Sequence, residues 1–132
     1  MKIIINTSTL YVGGGVQVAV SFLNELNTFD ENNEYHIFMS KEIQKQIDYK
    51  NFNNKFTFYI IENTPASLKH RNDIKKELDI LEKKIQPDIV FTVFGPSYWK
   101  PKSIHLVGFA DGWVYNPDSI AYKRLSFFRR LK

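Results

Sequence analysis

Apolar and polar positions along the chain switch between two periods. Residues 2–6, Lys-Ile-Ile-Ile-Asn, form an unbroken β-branched run, the pattern of a strand covered on both faces. Val16, Ala19, Val20, Leu23 and Leu26 then recur at steps of three and four, which draws an apolar stripe along a helix. After a polar turn at residues 30–33, residues 34–39 read as a second strand, 41–47 as a short helix, 50–55 as a polar loop and 56–61 as a third strand. Residues 67–85 carry the longest helical pattern, with Ile74, Leu78, Leu81 and Ile85 on one face. Pro87 ends it, because proline disfavours helix at the residue before it. Residues 88–94 and 104–109 read as fourth and fifth strands, and about 119–131 as a last helix. Strands alternating with helices predict one α/β domain. The expected fold is Rossmann-like and doubly wound, with a mainly parallel sheet of about five strands, flanking helices and right-handed crossovers.

Length and composition narrow this picture. At 132 residues the chain is one domain. A chain of this size buries about two thirds of its unfolded surface, enough for a core without staples. It has no cysteine, which removes disulfide frameworks and cysteine zinc sites. No apolar run reaches the roughly 20 residues of a membrane span. The first strand, with one lysine, is too short and too β-rich for a signal peptide. The charge is uneven. Residues 1–118 sum to −1 and residues 119–132 to +5, giving the chain's +4. The basic character therefore belongs to one segment, whereas a nucleic-acid footprint would spread over a face.

The chemistry-bearing feature is the triplet Gly13-Gly14-Gly15, set between the first strand and the first helix. In an open α/β sheet such a loop faces the ligand crevice. Glycine lets the backbone approach a ligand, and the helix start behind it favours anions. The triplet lacks the third glycine of the dinucleotide fingerprint, and the approach from Asn6 is long for that tight turn. Ser40 and Lys41 stand where the fingerprint wants an acid at the end of the second strand. No Gly-Lys-Ser/Thr follows, so it is not a P-loop. Two readings stay open: a loop for a phosphate-bearing or sugar-nucleotide ligand, and a turn whose glycines serve backbone shape.

Three stretches resemble the N-terminal domain of family 4 glycosyltransferases. Asn6 through Ala19 is similar to that family's first strand, glycine-rich loop and helix. Lys83-Lys84-Ile85-Gln86-Pro87-Asp88-Ile89-Val90-Phe91 resembles its step from helix through Pro-Asp into the fourth strand. Val107-Gly108-Phe109-Ala110-Asp111-Gly112-Trp113 resembles the segment after the fifth strand. The resemblance implies half of a GT-B enzyme, in which two Rossmann-like domains face each other across a cleft. The family's donor-binding C-terminal domain and its paired glutamates have no counterpart here, so the chain alone is expected to transfer no sugar. The whole enzyme would move a sugar from a nucleotide-sugar donor to a glycan or lipid-linked acceptor, as in surface polysaccharide assembly. The family implies no divalent metal and no cofactor.

By the same resemblance, Gly13, Gly14 and Gly15 are the cleft loop, with Val16 and Gln17 at the helix start. Asp111 falls where many members place a histidine near the reacting sugar. A carboxylate there could take a proton from an acceptor hydroxyl, although Asp111-Gly112 also suits a plain turn. Trp113 and Tyr115 follow, either to stack on sugar or to close the core.

In the last helix Ala121, Leu125 and Phe128 share a face that Phe127 and Leu131 widen, while Lys123, Arg124, Arg129 and Arg130 meet no nearby acid. Such a helix suits an anionic membrane surface; equally, its apolar side suits packing on this domain, on further parts of the protein or on a second copy of the chain. The expected setting is cytoplasmic, peripheral on the inner face of the membrane. The rival from another class is a stand-alone Rossmann-like binding or regulatory domain that docks a partner through this helix. His36, His70 and His105 show no metal-ligand spacing, and His36 and His105 read as packed or edge residues. Asn6-Thr7-Ser8 matches a glycosylation sequon but lies at a strand end.

Overall fold

The structure, a computed structural model, describes residues 1–29, 31–109 and 118. Its elements run β1 (Lys2–Thr7), α1 (Gly14–Leu26), β2 (Glu34–Met39), α2 (Lys41–Gln44), a 3-10 turn at Tyr49–Asn51, β3 (Phe56–Ile60), α3 (Arg71–Ile85), β4 (Ile89–Thr92) and β5 (Ile104–Val107). The five strands form one sheet in the order β3-β2-β1-β4-β5, every pair parallel. The fold is α/β and Rossmann-like.

Period-two alternation along the strands divides the core between the two faces of the sheet. Ile5, Tyr35, Ile37, Met39 and Phe56 point to the side of α1 and α2, where they meet Val16, Ala19, Leu23 and Ile43. Ile4, Phe38 and Val90 point to the other side and meet Ile74, Leu78 and Ile85 of α3, with Trp99 from the β4–β5 connection. The central strand β1 is covered on both faces, as its β-branched run requires. Register places Ile5 beside Ile37 on one side and Phe91 on the other.

Several boundaries differ from the sequence reading. α3 starts at Arg71, not at residue 67. Thr64 holds the preceding stretch in a turn, its hydroxyl accepting from Ala66 N at 3.1 Å and its carbonyl from Ser67 N at 3.0 Å. Arg71 then reaches back to the carbonyls of Pro65 and Ala66. α2 is a single turn, capped by the Ser40 hydroxyl, which accepts from Ile43 N. β4 and β5 each stop two residues early. Their extensions instead bond across the sheet end, with Gly108 N donating to Thr92 O at 2.8 Å and Gly95 N to Gly108 O at 2.9 Å. A Cβ on Gly108 would lie 2.1 Å from Val93 O, so this close backbone approach admits only glycine. The expected helix at 119–131 lies outside the described residues.

Candidate functional site

The connections out of β1 and β4 lead to opposite sides of the sheet, to β2 and to β5. The carboxyl ends of β1 and β4 therefore flank the topological switch point, where open α/β sheets take their ligands. The glycine triplet stands there, though not wholly as a loop. Gly14 and Gly15 form the first turn of α1, and only Gly13 lies outside it, as the N-cap. Gly13 has φ 70° and ψ −155°, a conformation that side-chain-bearing residues avoid. No side chain caps α1 and no acid lies in its first turn. The first amides of a helix lack the usual partner four residues back. Here Val16 N donates to Gly13 O at 3.2 Å, while among the described residues Gly14 N and Gly15 N meet no acceptor at the positive end of the helix dipole. A Cβ on Gly14 would meet nothing within 4 Å, so the backbone there borders open space.

The other expected site residues divide. Val16 is 3% exposed and packs into the core, so only its backbone belongs to the helix start. Gln17 turns its amide to Gln46, donating from Nε2 to Oε1 at 2.8 Å, and so bridges α1 to the residues after α2. Asp111, Trp113 and Tyr115, and the basic-segment residues Lys123, Arg124, Phe127, Phe128, Arg129 and Arg130, lie outside the described residues.

Beneath the glycine turn runs a buried polar chain that the sequence reading passed over. Asn6 Oδ1 accepts from Ser8 N at 3.1 Å and Ser8 Oγ at 2.7 Å, while Asn6 Nδ2 donates to Thr92 Oγ1 at 3.2 Å. Thr92 Oγ1 in turn lies 2.9 Å from His105 Nε2. Thr92 is fully buried, and its hydroxyl already accepts from Asn6. Its single hydrogen is satisfied only by donation to His105 Nε2. That assigns the neutral imidazole with its proton on Nδ1. Burial lowers the His105 pKa, with the Glu82 carboxylate pulling weakly the other way. The chain ties the ends of β1, β4 and β5 together just below the crevice. It also removes the sequon as a modification site, because Asn6 is fully buried and both ends of its amide are engaged. The signal in the sequence was a polar residue closing each apolar strand, Asn6 after Ile3-Ile4-Ile5 and Thr92 after Ile89-Val90-Phe91.

On the same end of the sheet, Tyr11 donates to Ile61 O at 3.4 Å. Burial raises its pKa, with Glu62 and Glu42 adding to the effect. Lys41 is paired with Glu62. Leu10 O accepts from the Ser40 hydroxyl, which holds the β1–α1 loop onto the start of α2. Two surface concavities, of about 690 and 520 Å³, lie at the opposite, amino ends of the strands. Their acid and base side chains serve structure. Asp88 accepts from Lys2 N at 2.8 Å. The buried Glu82 carboxylate accepts from Lys102 N, Ser103 N and Ser103 Oγ at 2.8, 2.8 and 2.9 Å, shaping the turn into β5. By topology the candidate ligand site is instead the crevice, where Gly14 N and Gly15 N meet no acceptor among the described residues. Among the described residues no group of three or more His, Asp or Glu is placed to hold a metal, and no helix is long and apolar enough to cross a membrane.

No protein-family model and no curated protein sequence matches this chain.

Proposed function

We propose that this chain is the N-terminal, acceptor-side domain of a family 4, GT-B glycosyltransferase. The enzyme would move a sugar from a nucleotide-sugar donor to a glycan or lipid-linked acceptor in surface polysaccharide assembly. The observation that carries the reading is the start of α1. A glycine-only turn delivers an uncapped helix end, open to solvent at Gly14, to the switch point beside β4. The stretches that carry the resemblance coincide with structural steps of the fold, the first and the last of them bordering this crevice. Residues 6–19 cover the end of β1 and the first part of α1. Residues 83–91 cover the end of α3 and most of β4, and residues 107–109 leave β5.

In this role the backbone of Gly13, Gly14 and Gly15 lies along a donor phosphate or the acceptor, where bare amides offset anionic charge. The buried chain from Ser8 to His105 holds that backbone in place without touching the ligand. Asp111, a few residues beyond β5, takes the proton of the acceptor hydroxyl. The basic segment keeps the domain near an anionic membrane surface, where a lipid-linked acceptor resides. Most donor contacts belong to a second domain, so this chain by itself binds donor weakly and transfers nothing.

The test is an amide-resolved titration of the labelled chain with uridine- and guanosine-diphosphate sugars and with a polyprenyl-linked glycan. Weak shifts confined to the amides of residues 13–16, with no transfer, are expected. Tight nucleotide binding would overturn the acceptor-side assignment. Indifference of those amides to every ligand would overturn the glycosyltransferase reading.

A further inference from the structure

We propose that the hollow of about 520 Å³ at the amino end of β5 binds a small zwitterion, its ammonium held by Glu82 and Asp79 and its acid group by Lys83 and Lys102. The structural work of the two acids occupies one oxygen of each. Glu82 Oε1 takes all three bonds from Lys102 N, Ser103 N and Ser103 Oγ, and Asp79 Oδ1 accepts from Trp99 Nε1 at 2.8 Å. Glu82 Oε2 and Asp79 Oδ2 meet no donor among the described residues. Both oxygens of a carboxylate are acceptors. Glu82 is only 5% exposed, yet its second oxygen is not sealed in. Among the described residues the one enclosed side-chain oxygen without a partner is Thr9 Oγ1, and Glu82 lines the hollow. The hollow is therefore where Oε2 gains a partner.

The surroundings select the ligand. Asp79 and Glu82 stand three residues apart on α3, so both project to the same side of the helix. Glu82 lies in its last turn, where the helix dipole adds to the pull on a cation. Two carboxylates without a third acid or histidine make a poor metal cage, whereas a charged N–H donor suits their free oxygens. Lys83 and Lys102, both exposed, border the same hollow. Among the described residues none of these four charged side chains is ion-paired, so charges of both signs stand uncommitted around one space. A ligand with only a cation is opposed by the lysines, and one with only an anion by the carboxylates. A zwitterion satisfies both pairs. Ile80, 68% exposed, adds an apolar wall, and the volume is that of a small-molecule site. The hollow lies at the opposite end of the strands from the glycine turn, so its occupancy is independent of the proposed enzymatic role.

The test is an amide-resolved titration of the labelled chain with two zwitterions, leucine and phosphoethanolamine. Their one-charge counterparts are leucinamide and N-acetylleucine for the first, ethanolamine and inorganic phosphate for the second. At least one zwitterion should give saturable shifts at the amides of Glu82, Lys102 and Ser103, and each of its counterparts should bind at least tenfold more weakly. Silence of both zwitterions, equal binding of a counterpart, or a response to magnesium chloride alone would overturn the proposal. Glu82→Gln separates binding from structure. Its side-chain oxygen still accepts the three bonds, while an NH2 group replaces Oε2 and opposes an ammonium. Zwitterion binding should fall at least tenfold, with exchange protection in β5 unchanged. Asp79→Asn, at an exposed position, guards against misfolding of that variant. It keeps the acceptor for Trp99 Nε1 and should weaken binding several-fold. Undiminished zwitterion binding in folded Glu82→Gln or in Asp79→Asn would equally overturn it.

Discussion

The two edges of the sheet end in different ways. At β3 the α1 face is closed by a cover close in sequence. Tyr49 packs edge-on to Phe58 at 5.0 Å, and Phe52 packs on both Phe56 and Phe58 at 5.1 Å. The other face is closed by Tyr59 against Phe38, and the strand's exposed residues are Thr57 and, at its end, Ile60. At β5 three of four residues are exposed and apolar, Ile104, Leu106 and Val107, and the strand's one polar side chain, His105, turns to Thr92. A strand in a parallel sheet is normally covered on both faces, and a bare apolar edge invites pairing or aggregation. The lesson is one of order along the chain. β3 is finished by residues that precede it, whereas among the described residues β5 leaves Ile104, Leu106 and Val107 exposed.

The largest effect should come from the joint that fixes β5. Gly108→Ala drives a Cβ into Val93 O and should cost about 3 kcal/mol in urea denaturation. Exchange protection should collapse in β5 and survive in β3. Equal loss in both strands would mean that the edges are not independent. Next, Phe52→Ala strips the cover from β3 and should cost about 2 kcal/mol. Leu106→Ala measures the other edge on the same scale. With Leu106 53% exposed it should cost less than about 0.5 kcal/mol. A loss as large as that of Phe52→Ala would erase the contrast between the edges.

Two smaller effects concern the crevice between the edges. Gly14→Ala adds a methyl to open space and should change stability by no more than about 0.5 kcal/mol. It should nevertheless abolish the ligand-dependent amide shifts at residues 13–16, and full retention of those shifts would deny a close ligand approach. The smallest effect is the pH response of the β5 joint. The His105 pKa lies below its ordinary 6.5 because burial disfavours the cation. As pH falls the unfolded chain takes the proton first. The stabilisation is therefore complete above pH 6.5 and fades as pH drops through the lower folded value. Denaturant midpoints from pH 8 to pH 5 should show a dip that His105→Gln lacks. An identical profile in both would remove the assigned tautomer.

The strands were the most legible part, because burial on two faces leaves a continuous β-branched signature that few other structures produce. β2 matches the expected residues throughout, and β1 differs by one. Helix starts were less legible. The apolar stripe of α3 begins at Ile74, but the local turn at Thr64 and Pro65 decided where the backbone became helical. The glycine triplet was visible as a site but not as a helix end, since glycine carries no periodic signal. The chain linking Ser8, Asn6, Thr92 and His105 spans nearly a hundred residues, and spacing says nothing about such pairs.

By itself the sequence determined the alternation of strand and helix, and with it the class of fold, because a parallel sheet with crossover helices is the way such an order buries its apolar faces. It also determined that glycines sit where β1 hands over to α1. Only the tertiary structure decided that the strands lie in the order β3-β2-β1-β4-β5, so that the turn opens on the switch point. Only it decided that Val16 is core and Gly14 open, that Asn6 is a buried tie between strands, and that one edge is closed while the other is bare. Periodicity along a chain reports which side of an element is apolar. What that side meets depends on contacts distant in sequence, which the pattern does not encode.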